Sequence, residues 1–153
     1  MPIKRQNLSM AGEYAVASEI CRRNYFAQIT LGRWKRTDIL VYNPETEKEM
    51  RVEVKAKQGR EWPGQKGIAS EGALLVFVDF QNKKDTERPD FYILNSEDWK
   101  QFIDQHIRPM GPAYIDDNYC PTWKDGYVGT SVRPDQISAC KEKWEKLITK
   151  LKS

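Results

Sequence analysis

Apolar and polar residues alternate through TDILVYNPETEKEMRVEVKAK, residues 37–57, and the alternation predicts two strands joined by a turn. Ile39, Val41, Val52 and Val54 repeat with the period of a strand that has one buried face. A turn centred on residues 43–47 (NPETE) sets Asp38 roughly opposite Glu53. Elsewhere the period becomes helical. Ala11, Ala15, Val16 and Ile20 give an apolar face to a helix over about 8–23, with Asn7 or Ser9 as N-cap and Asn24 as a left-handed C-terminal cap. Trp99, Phe102 and Ile103 do the same for a helix over 97–106, opened by Ser96. Ile137, Trp144, Leu147, Ile148 and Leu151 mark a last helix over about 134–150.

Between these lie a short strand at 25–30 (YFAQIT) and a basic turn at 31–36 (LGRWKR). Residues 58–72 are polar and glycine-containing, which suggests a loop plus a short helix. The run ALLVFVDF at 73–80 is apolar throughout, as in a strand buried on both faces, and FYIL at 91–94 is another strand. Residues 108–133 are rich in Pro, Gly, Asp and aromatic residues and read as an ordered loop. This order of elements implies an α/β (α+β) layer arrangement with a mixed β-sheet flanked by helices, in a single domain over 1–153.

Opposed residues on paired strands have Cβ atoms about 4.5–5.5 Å apart, where like charges destabilise. Asp38 facing Glu53, with Lys55 two residues along on the same face, therefore needs a reason, and a divalent metal supplies one. The plainer reading is a solvated outer face, since a one-residue slip in register separates the carboxylates. Glu13 falls on the same side of the first helix as Val16, Ala17 and Ile20 and should point inward; as a lone helix glutamate it could equally be a surface charge.

Composition limits the alternatives. A chain with 39% hydrophobic and 31% charged residues fits a soluble globular protein. It holds no apolar run near the roughly 20 residues of a membrane helix, and MPIKRQNLSM does not resemble a secretory signal, so a cytoplasmic location is expected. Cys21, Cys120 and Cys140 are too widely spaced to suggest a disulfide framework or zinc site. His106 is the only histidine, which disfavours a metal-independent ribonuclease built on two. Charge is uneven: residues 22–67 carry 11 basic and 6 acidic side chains, a balance of +5, whereas residues 68–153 carry 12 and 14, a balance of −2. A positive segment around the hairpin favours a polyanionic partner. Arg33, Lys35, Arg36, Lys57 and Arg60 flank the hairpin and are the candidates to hold a DNA backbone, although each taken singly is an ordinary surface charge. Trp62, beside Pro63 and Gly64, reads as core or lid packing ahead of a base contact.

A helix bearing an acid, an Asp-bearing strand and a strand ending in ExK together resemble the PD-(D/E)XK nuclease superfamily, whose fold is restriction-endonuclease-like. Holliday-junction resolvases and small endonuclease-like proteins belong to it. The α-β-β-β-α-β core of the superfamily would cover about 8–94, leaving 95–153 as a loop and helical extension. Asp38, Glu53 and Lys55 match its motif, and Glu13 takes the position of the first-helix acid. Thr37 stands where the name-giving proline would be, a position at which many members also lack proline. The resemblance implies a metal-dependent DNA endonuclease using Mg²⁺ or Mn²⁺. Asp38 and Glu53 would be metal ligands with the Val54 carbonyl as a third, and Lys55 would hold the attacking water or offset phosphate charge. Gln58, three residues past Lys55, lies where members often place a polar site residue. Cutting two strands takes two sites, which a homodimer would supply. The competing expectations are a catalytically silent nucleic-acid-binding module of the same fold and a protein-interaction subunit.

Overall fold

In a computed structural model of the chain, residues 2–30, 37–68 and 70–152 are described. A helix at Arg5–Arg22 (α1) precedes the strands Phe26–Ile29 (β1), Ile39–Asn43 (β2) and Lys48–Lys57 (β3). Then come Trp62–Gln65 (β4), Leu74–Asp79 (β5) and Asp90–Leu94 (β6). Five of these form one sheet in the order β1-β2-β3-β5-β6. The β3–β5 pair is parallel and the other pairs are antiparallel, so the sheet is mixed. A helix at Ser96–Phe102 (α2) and another at Glu145–Lys152 (α3) follow, with short strands at Tyr114–Ile115 (β7), Pro121–Thr122 (β8) and Thr130–Val132 (β9) between them. The molecule is thus a mixed α/β protein with a central mixed sheet flanked by helices.

Each face of the sheet carries its own core. Val16 and Ile20 of α1 and Leu147 and Leu151 of α3 pack on Val41, Val52, Val54, Val76 and Val78. Trp99 and Phe102 of α2, with Ile103 and Trp62, pack on Leu75, Phe77 and Leu94 of the opposite face. Successive strand residues point to opposite faces, so a strand covered on both must be apolar without interruption. All six residues of β5 are buried, which is why its sequence shows no alternation.

Close approach of α1 to the sheet depends on Gly12. A Cβ on Gly12 would lie 2.8 Å from the Cβ of Ala56, closer than carbon atoms pack. The helix starts at Arg5 rather than near residue 8, and its N-cap, Lys4, makes no side-chain cap bond. Gln58 fixes the entering chain instead. Its amide accepts from the Ile3 N–H at 2.8 Å and donates to the Ile3 carbonyl at 2.7 Å. At the other end Asn24 has φ 69°, the left-handed cap read from the sequence.

Three expectations need correction. Residues 58–72 hold no helix among the described residues; β4 lies there instead and pairs with β9, from residues 130–132. The last helix does not run unbroken from 134 to 150. Pro134–Cys140 is a 3-10 helix, Lys141 bridges Tyr92, and the Glu142 N–H donates to the Phe91 carbonyl at 2.9 Å. Pairing with the outer edge of β6 thus holds the chain extended before α3 begins. The segment 108–133 carries β7, β8, β9 and a 3-10 turn at Arg108–Met110, more regular structure than a loop. Among the described residues, no helix is long and apolar enough to cross a membrane.

Candidate functional site

The β2–β3 register pairs Ile39 with Val52 and ends there. Asp38 lies one residue beyond that pair, and no ladder pairing among the described residues joins it to Glu53. From Glu53 onward the β2 side of β3 has no strand partner from β2. Asp38 occupies that gap. Its N–H donates to the Val52 carbonyl at 3.0 Å, and one carboxylate oxygen accepts from the Val54 N–H at 2.7 Å. A side-chain oxygen thereby replaces the ladder bond that β2 is too short to provide, satisfying a backbone donor that would otherwise be costly to bury.

Glu53 and Lys55 project from the sheet face opposite α1, because the alternate residues Val52 and Val54 belong to the α1-side core. The Lys55 Nζ lies 3.2 Å from Glu53 Oε2. The Glu53 side chain is 12% exposed and that of Lys55 is 44% exposed, so the lysine reaches solvent from a sheltered carboxylate. Glu13 comes from the other side, half-buried on α1. Burial pushes its pKa up, and the charge of Asp38 pushes it further in the same direction. Glu13 thus acts on Asp38 at the edge of β3, while Glu53 and Lys55 pair with each other on the opposite face of that strand.

The remaining candidates separate from this group. Lys57 is not a surface cation: it is 3% exposed and its Nζ lies 2.7 Å from Asp79 Oδ1. The same nitrogen donates to the Gly59 carbonyl at 2.8 Å and to Gln81 Oε1 at 3.3 Å, and it sits over the Trp62 ring. All three of its donors are spent inside, which leaves none for a phosphate. Gln58 is half-buried with both ends of its amide on Ile3. Arg60 is exposed in the bend before β4. Arg33, Lys35 and Arg36 lie outside the described residues. Trp62 is 1% exposed and packs against Phe77, a core role.

A cleft of about 540 Å³ opens on the Glu53 face. It adds Arg51 and Lys66, both exposed, to the neighbourhood of the acids. Arg51 was findable, since it precedes Glu53 by two residues and shares its face. Lys66 and the far wall from residues 116–128 had no such signal, because only the β4–β9 pairing and the fold of the 108–133 segment bring them near.

Asp38, Glu53 and the Val54 carbonyl would together supply only oxygen donors. Magnesium prefers oxygen, keeps several waters and takes one or two carboxylates, so the chemistry of the set suits it. Among the described residues, no three Asp, Glu, His or Cys side chains are gathered into a preformed cage. Comparison of the chain with protein-family models, with curated proteins and with solved structures gives no match.

Proposed function

We propose that the chain is a metal-dependent deoxyribonuclease of the restriction-endonuclease-like fold, hydrolysing DNA phosphodiester bonds with Mg²⁺ or Mn²⁺. The seating of the Asp38 carboxylate on the Val54 N–H carries the reading. It holds one acid at the centre of the Glu53-Val54-Lys55 run, with Glu13 acting on it from α1. Asp38 and Glu53 would hold the ion, which would lower the pKa of bound water and offset charge on the attacking and leaving oxygens.

Each protein group then has a distinct task. The Lys55 ammonium, tethered to Glu53 yet solvent-facing, would orient a water or neutralise a phosphate oxygen. Glu13 holds its proton more tightly than an ordinary glutamate, which makes it the better proton acceptor of the group. Arg51, Arg60 and Lys66 are exposed cations on the described surface, in keeping with a polyanionic substrate. Arg33, Lys35 and Arg36 add further positive charge in the sequence.

Incubating the purified protein with plasmid, single-stranded and branched DNA tests the reading, with Mg²⁺ or Mn²⁺ and with chelator. Metal-dependent cutting that disappears in Glu53→Gln and Lys55→Ala is the expected result. Folded protein that binds DNA in a salt-dependent way and never cuts indicates the silent binding module. Neither binding nor cutting indicates a protein-interaction subunit.

A further inference from the structure

The cleft beside Glu53 has the dimensions of a small-ligand site, within the roughly 300–1,000 Å³ such sites occupy. Its lining mixes apolar and charged side chains. Ile68, Leu75 and Val128 supply apolar surface, Arg51 and Lys66 positive charge, and Glu53 and Asp116 carboxylates. An apolar slot beside cations suits a group with a flat apolar part and an anionic part. A nucleotide is such a group. Its base can enter a concave slot only after leaving the helical stack.

A second feature continues the slot outward. Thr122 pairs with Tyr114 on one side and bridges Val128 on the other, and directly opposed residues share a face. Val128, Thr122 and Tyr114 therefore form a row that leads away from the cleft. Val128 is 43% exposed and Tyr114 60%. Internal bonds make this small platform firm: Trp123 Nε1 donates to the Gly129 carbonyl at 2.8 Å, and the Ala113 N–H donates to the Thr122 carbonyl at 2.8 Å. An exposed aromatic ring on a firm support is the kind of surface on which unpaired bases stack.

We propose that the cleft receives an unpaired nucleotide and that the Val128–Thr122–Tyr114 row carries the strand next to it, so that the substrate is single-stranded or splayed DNA. This rests on the nuclease reading above and names its substrate class. Binding of a fluorescent single-stranded oligonucleotide and of the blunt duplex of the same length, both in chelator, tests it. The single strand should bind at least about fivefold more tightly than the duplex, and Tyr114→Ala should weaken single-strand binding by about fivefold or more, the low end of a base–aromatic stack. Duplex affinity should not change in that variant. Equal or tighter duplex binding, or single-strand binding untouched by Tyr114→Ala, overturns the proposal. If metal-dependent, Glu53-dependent cutting of uninterrupted duplex persists alongside either result, only the substrate class is wrong. If no DNA is bound or cut, the nuclease reading fails with it.

Discussion

Asp38 and Val54 are joined by a hydrogen bond of 2.7 Å, from the backbone N–H of Val54 to a carboxylate oxygen of Asp38. β3 runs on where β2 has not yet begun, and this bond closes the gap in the ladder. One side chain therefore serves the fold and, in the proposed function, the ion.

Two substitutions separate these roles. Asp38→Ala leaves the Val54 donor without a partner and should cost about 1–3 kcal/mol of stability, read from urea unfolding. Asp38→Asn keeps a carbonyl acceptor for the same donor and should cost less, yet it should abolish metal-dependent cutting just as fully. An Asp38→Asn protein that cuts at the wild-type rate would remove Asp38 from the site.

Lys57 gives the opposite pattern. Its charge is buried against Asp79, so Lys57→Met leaves a lone carboxylate inside and should cost about 3–5 kcal/mol. Lys57→Met with Asp79→Leu should recover much of that loss. In the folded double variant the salt dependence of DNA binding should match the wild type, because Lys57 makes no phosphate contact. A shallower salt slope would return Lys57 to the binding surface.

The contrast between these residues explains what the sequence reveals. Strands β2 and β3 are joined by a short turn, and counting from its centre gives the Ile39–Val52 pairing. Lys57 and Asp79 meet across a parallel pair whose alignment no turn fixes, so Lys57 looked like one more cation in a basic segment. The apolar run of β5 announced its burial directly. The break in the last helix was hidden because it depends on Lys141 and Glu142 pairing with β6, some 50 residues earlier. The role of Glu19 is hidden in the same way: its partner Arg88 is distant in sequence.

That pair contributes to the acid stability of the fold. Glu19 is buried, and its pKa is held down to about 2, chiefly by the Arg88 hydrogen bond and further by Arg23 and Arg22, against the upward push of burial. Unfolded, it returns to the usual 4.5. The unfolded chain therefore binds the proton first as pH falls. The contribution of Glu19 should be complete above pH 4.5 and drain away as pH falls toward 2. Arg88→Ala should lower Tm at pH 7 and flatten its decline over that window. An unchanged Tm–pH curve in Arg88→Ala would contradict this.

Glu13 has the reverse sign. Its pKa is raised in the fold, so its ionised form is penalised there and the penalty appears as pH rises through the folded pKa. Glu13→Gln should therefore be more stable than wild type at pH 7, with the gain vanishing toward pH 4. The same substitution should slow DNA cutting by about 100-fold and erase the acid limb of the pH–rate profile. Greater stability without loss of cutting would make Glu13 a strained bystander.

The most direct test of the central claim is the rate of nicking of single-stranded, splayed and plasmid DNA by wild type and Glu53→Gln at saturating Mn²⁺, with both proteins shown to be folded by the same unfolding midpoint. Wild type should nick, chelator should stop it, and Glu53→Gln should be slower by at least about 100-fold, the low end for one positioned catalytic group. Equal nicking by the two proteins, or nicking that survives chelator, would contradict a metal site built on Asp38 and Glu53.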